Sequence, residues 1–163
     1  MARVYVSLGS NVDRERRIGE AVDELRGIFG DIELSPVYDS VAVGFDGSNF
    51  LNLVAGFDSD ASPAAVVEAF RGIEDRLGRD RSLPKFASRP IDLDILLYDD
   101  LVLDQPGIRI PRAEILVNAF VLRPLQDIAP TRRHPESGET FAELWRRMAP
   151  GAPRLDVFPL NLD

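Results

Sequence analysis

Residues 79–100 read RDRSLPKFASRPIDLDILLYDD: four basic side chains, Arg79, Arg81, Lys85 and Arg89, precede two aspartates one residue apart in an apolar run. Residues 91–98, IDLDILLY, alternate as a strand does, so Ile91, Leu93, Ile95 and Leu97 are expected on one face and Asp92 and Asp94 on the other. Like charges in a strand that otherwise looks buried are costly unless something pairs with them, so this pair asks for a cation.

Working outward, the strand closes a sequence of elements. RVYVSL, from about Arg3 to Leu8, alternates as a first strand, and GSN is expected to turn the chain. Apolar residues at helical spacing from Asp13 to Phe29 predict a helix capped by Asn11 or Asp13 and stopped by Gly30. IELSPVYDSVAV reads as an extended segment interrupted by Pro36, GFDGSN as a loop, and FLNLVAGF as a strand pairing back on it. Ser62 and Pro63 open a second helix, which continues through Val66, Phe70, Ile73 and Leu77 to Gly78. Strand, helix, strand, strand, helix, strand is the α+β, ferredoxin-like βαββαβ pattern, with two helices on one face of a sheet. The remaining third is expected to be a C-terminal extension: a short strand in DDLVL, a helix in NAFVLRPLQDIAP and an amphipathic helix in ETFAELWRRM.

The chain has 163 residues and fits one domain, residues 1–163, with 45% hydrophobic and 28% charged composition. Its net charge of -8 argues against a nucleic-acid or anionic-membrane partner, so any phosphate site must be local. There is no Cys and one His, His134, so a bound metal would be a hard cation on oxygen ligands. His134 lies in TRRHPESG, a polar turn, and is expected at the surface. MARVYVSLGSN lacks a long apolar segment, and a cytoplasmic monomer is expected.

Asp92 and Asp94 on one strand face have Cα atoms about 6.5–7 Å apart. Carboxylates so placed can bridge two metals ~3.5–4 Å apart, and Mg²⁺, which leaves room for water and phosphate oxygens, is the natural candidate. The plainer alternative is a solvated sheet face salt-bridged to neighbouring arginines. The basic cluster at Arg79, Arg81, Lys85 and Arg89 favours a metal–polyphosphate ligand instead. No G-x-x-x-x-G-K-[ST] or G-x-G-x-x-G segment is present, so side chains rather than a glycine loop must hold the phosphates.

SLGSN, FLN, GRDR, SRPIDLDILLY, IRIP and AFVLRPL, in this order and spacing, resemble the 6-hydroxymethyl-7,8-dihydropterin pyrophosphokinase family of folate biosynthesis, from about Val4 to Pro130. The resemblance implies transfer of pyrophosphate from ATP to the pterin hydroxymethyl group, with release of AMP. It implies two Mg²⁺ on Asp92 and Asp94, and Arg79, Arg81, Lys85 and Arg89 as phosphate-binding side chains of a mobile catalytic loop. ATP contacts are implied for Arg79, Arg81, Arg89, Ile95 and Arg112. The pterin pocket falls on Ser40, Val41, Val43, Phe50, Asn52 and Phe120, with Asn52 reading the edge of the heterocycle.

Three positions depart from the family pattern: Arg112 stands where a His usually follows IP, Asn118 where a basic residue is usual, and Phe86-Ala87-Ser88-Arg89 replaces W-G-P-R. Arg112 either contacts phosphate in place of the His, or caps the strand end IRIP or pairs with Glu114 at the surface. Two other functions remain open: a paralogue acting on a modified pterin, and a non-catalytic pterin- or nucleotide-binding module.

Overall fold

Ala2–Ser10 forms β1, the strand on which the sheet is built. It is flanked antiparallel by β4 (Phe50–Ser59) and by β5 (Asp92–Tyr98). The computed structural model describes residues 1–40, 49–78 and 90–163. Val41, Val43, Arg79, Arg81, Lys85 and Arg89 lie outside the described residues. Gly9 and Ser10 do not turn the chain as GSN was expected to do; they stay paired with β4, and the chain bends after them.

The extended stretch before β4 is two short strands, β2 (Glu33–Leu34) and β3 (Tyr38–Ser40), both antiparallel to β4. Pro36 separates them, since it has no N–H to give to a ladder. Near the C-terminus β8 (Asp156–Val157) pairs with β3, so the main sheet runs β5-β1-β4-β3-β8, with β2 also on β4.

Helices α1 (Arg14–Phe29) and α2 (Pro63–Arg76) cover one face. The Ser62 hydroxyl accepts the Ala65 N–H at 3.2 Å, and Pro63 occupies the first turn, where its missing donor is not needed. Asp13 enters α1 with φ of 52° and makes no side-chain cap; Gly30 closes that helix at φ of 82°, open to glycine without strain. Ile18, Val22, Leu25, Val66, Phe70 and Ile73 meet Val4, Val6, Leu8, Leu53, Phe57 and Leu93 in a dry core. Phe29 stacks on Phe57 at 4.2 Å and meets Phe70 edge-on at 6.1 Å.

The opposite face is covered by α3 (Ala119–Ile128) and α4 (Phe141–Met148), which pack on Tyr5, Val54, Leu96 and Leu97. Thr140 and Glu143 form a reciprocal capping box at the start of α4. Leu97 therefore does not share a face with Ile91, Leu93 and Ile95 as strict alternation predicts. A register shift pairs Val6 with Ile95 but Tyr5 with Leu97, leaving Leu96 as an extra residue. Such a bulge puts Leu96 and Leu97 on one side and returns Tyr98 to the first core, where its hydroxyl donates to the Ala61 carbonyl at 2.6 Å.

A separate hairpin, β6 (Leu103–Gln105) and β7 (Ile108–Ile110), follows β5. It leads the chain back to the sheet, where the Arg112 N–H donates to the Leu96 carbonyl at 3.0 Å. His134, expected at the surface, is 2% exposed. Its Nδ1 accepts the N–H groups of Glu136 and Ser137 at 3.2 and 3.1 Å, and its ring meets Phe141 edge-on. The imidazole sits inside a polar turn because the turn's own backbone donors satisfy it there. Among the described residues no helix is long and apolar enough to cross a membrane.

Candidate functional site

Gly9 pairs with Asn52 of β4 on one side and with Asp92 of β5 on the other. Two residues back, Ser7 pairs with Val54 and with Asp94. Registered partners share a face, so Asn52, Asp92 and Asp94 all lie on the side of the sheet that carries α3. The Ser10 hydroxyl donates to the Pro90 carbonyl, which ties the end of β1 to the start of β5. An alanine Cβ at Gly9 would meet Asn52 Oδ1 at 3.0 Å and Phe50 at 3.7 Å.

On the β4 side, Asn52 is 8% exposed and donates from Nδ2 to the Ser40 hydroxyl at 2.6 Å. That bond leaves Oδ1 as an acceptor directed over Gly9. Phe50 is half-buried, and Phe120, also half-buried, packs on the core beneath α3. Tyr38, two residues before Ser40, donates its hydroxyl to the Asp127 carboxylate of α3. Burial and that carboxylate push the Tyr38 phenol up to about 12. Ile95 is buried in the opposite core, so its contribution to a nucleotide site would be made by its backbone.

On the β5 side, the Asp94 carboxylate is held well above the usual range, first by burial and then by the neighbouring Asp92, with Glu74 and Glu114 adding repulsion. Arg112 opposes the shift: its Nη2 lies 3.5 Å from Asp94, while its Nε pairs with Glu114. The expected pair with Glu114 is present, and Arg112 also places a cation beside Asp94, a contact that the sequence did not announce. Glu74 is 5% exposed and accepts the Leu93 N–H at 2.9 Å, so a buried acid on α2 fixes the backbone between the two aspartates. Sequence reasoning missed it; the available signal was its place four residues after Phe70 on the buried helix face.

The setting fits a hard cation, because a buried carboxylate such as Asp94, with Asp92 beside it on the same strand face, is relieved by positive charge. Among the described residues no group of three or more His, Asp or Glu side chains could form a closed cage. A divalent ion on Asp92 and Asp94 would thus complete its shell with water and substrate oxygens, the habit of Mg²⁺.

Several relatives share this chain's sequence across most of its length. A Pseudomonas aeruginosa 2-amino-4-hydroxy-6-hydroxymethyldihydropteridine pyrophosphokinase is 38% identical over 146 residues, covering 87% of this chain and 89% of the relative. The enzyme of that name from Aquifex aeolicus is 36% identical, covering 83% and 85%. The crystal structure of an HPPK-DHPS protein in complex with substrates superposes with a TM-score of 0.74 at 12% identity, a likeness of fold alone. This chain spans 92% of its own length there and 44% of that longer chain. The profile of one family matches residues 5–130, and the chain belongs to that family, 7,8-dihydro-6-hydroxymethylpterin-pyrophosphokinase (HPPK).

Proposed function

We propose that Asp92 and Asp94 are the metal-holding acids of a Mg²⁺-dependent diphosphate transfer, and that Ser40, Val41, Val43, Phe50, Asn52 and Phe120 hold the pterin. The activity itself follows from the family: the chain is an ATP-using pyrophosphokinase of folate biosynthesis, forming the diphosphate ester of 6-hydroxymethyl-7,8-dihydropterin and AMP. The observation that carries the site assignment is the double pairing of Gly9 with Asn52 and Asp92. It aligns a buried amide suited to a heterocycle edge with paired acids suited to a metal–polyphosphate, on one face of three adjacent strands.

In this reading Asn52 Oδ1 accepts from the pterin's N–H edge, and Phe50 and Phe120 offer flat apolar contact. That orientation directs the hydroxymethyl group along the strand ends toward Asp92. When bound, Mg²⁺ supplies the charge that neutralises the triphosphate and the developing charge on its transferred group. Arg79, Arg81, Lys85, Arg89 and Arg112 bind phosphate oxygens, and the backbone of Ile95 lies against the nucleotide. Arg112 has both the charge and the location for this task, 3.5 Å from Asp94.

A ferredoxin-like βαββαβ sheet with a C-terminal extension, in one domain 1–163, is our finer reading of the fold. The strand order, the two helices on one face and the pairing of β8 with β3 support it. A cytoplasmic monomer serving small-molecule substrates is our reading of its setting. The test is direct: protein, Mg²⁺, ATP and the reduced pterin are incubated and the nucleotide product identified. AMP is expected; ADP would mean another kinase, and no product a binding module.

A further inference from the structure

Arg14 opens α1 outside the segments that carry the family resemblance, yet its guanidinium spans the end of the β3–β4 pair. Nη1 and Nη2 donate to the Asp39 carboxylate at 3.2 and 3.4 Å, and Nη1 also donates to the Asn49 carbonyl at 3.1 Å. Asp39 precedes Ser40, Asn49 precedes Phe50, and Ser40 and Phe50 are cross-strand partners. One planar fork therefore grips both strands beside the pair that faces the proposed pterin pocket. Phe158 supports the guanidinium, its ring centroid 5.2 Å from Cζ. Phe158 is fixed in turn, since its N–H donates to the Val37 carbonyl at 2.8 Å and β8 pairs with Tyr38 and Asp39. The side chains of Arg14 and Asp39 are 26% and 24% exposed, so this pair is better shielded than an ordinary surface salt bridge.

We infer that Arg14 is a positioning residue for the pterin end of the site. It holds Asp39 and Asn49 together, and with them Ser40, Phe50 and, through the Ser40 hydroxyl, Asn52. The inference rests on the pterin assignment made above. A pocket wall set in place before binding spares the ligand the ordering that a loose one demands. Loss of Arg14 should therefore appear in pterin binding, not in the nucleotide grip or the chemical step.

The test is steady-state kinetics of Arg14→Met, Arg14→Lys and Phe158→Ala, with Asn52→Ala as a control and thermal melting to verify folding. Arg14→Met should raise the pterin KM about tenfold, with the ATP KM and kcat changed less than about twofold. Arg14→Lys, which keeps the charge and loses the fork, should restore part of the difference, and Phe158→Ala should raise the pterin KM by about threefold. A folded Arg14→Met protein with parental pterin KM overturns the inference, as does a loss confined to kcat. If Asn52→Ala impairs pterin binding while Arg14→Met does not, only the role of Arg14 fails. If Asn52→Ala is silent, the pterin assignment fails and the inference with it.

Discussion

Asn52 and Asp92 face the same residue, Gly9, from opposite sides of β1. Two strand spacings set their Cα atoms ~9.5 Å apart. Gly9 is where the sequence leaves room, because a Cβ there would lie 3.0 Å from Asn52 Oδ1. Gly9→Ala should push the Asn52 amide aside and raise the pterin KM by about tenfold while the ATP KM stays near its parental value. Steady-state kinetics with each substrate varied in turn checks this, and an unchanged pterin KM would remove Asn52 from the pocket.

If Asp92 and Asp94 hold the metal as proposed, Asp92→Ala and Asp94→Ala should each lower turnover by at least about 100-fold, since each would remove a carboxylate from the metal–triphosphate complex. The folded state should survive, because the metal-free protein loses a like-charge repulsion. Melting temperature without Mg²⁺ and turnover with it are the two measurements. Near-normal turnover of either variant at saturating Mg²⁺ would sink the metal assignment.

Arg112 stands between Asp94 and Glu114. If its charge reaches a phosphate oxygen, Arg112→Ala should weaken ATP use by ~10- to 150-fold and leave pterin affinity nearly unchanged. Arg112→His, which restores the residue usual in the family, should retain activity near the parental level. Kinetics on both variants decides the matter: a silent alanine variant would leave Arg112 with its carboxylate pairs alone.

His134 gives a pH dependence of folding away from the site. Burial lowers its pKa, and its Nδ1 already accepts two backbone N–H groups, so the folded state resists protonation. Above the unfolded value near 6.5 both states are neutral and the stability is complete. As pH falls below that value the unfolded chain takes a proton that the folded chain refuses, and stability is lost down to the folded pKa. Stability should therefore be lower at pH 5 than at pH 7.5. Denaturant unfolding at both pH values should show a smaller difference for His134→Gln than for the parent; an equal difference would refute the assignment.

Where local chemistry settles an element, the sequence was sufficient. Ser62 and Pro63 start α2, Gly30 ends α1, and Pro36 divides the strand before β4. Each depends on groups only a few residues apart. Alternation likewise put Asp92 and Asp94 on one face, since a strand's period of two needs no partner to define it. The motif spacing was enough to name the family.

Pairing and burial between distant segments were decided only by tertiary structure. The bulge opposite Tyr5 and Val6 turned Leu97 to the other core, an outcome set by the register between two strands and not by either strand alone. His134 was drawn inside by donors from its own turn and by Phe141, against the polarity of the surrounding sequence. Glu74 reached Leu93, Arg112 reached Asp94, and Arg14 joined Asp39, Asn49 and Phe158, contacts that cross between elements and whose partners no local spacing names. Residue type and local spacing marked the candidates for the chemistry; which of the described ones meet was fixed by the folding of β1 between β4 and β5, because only strand pairing brings positions 9, 52 and 92 side by side.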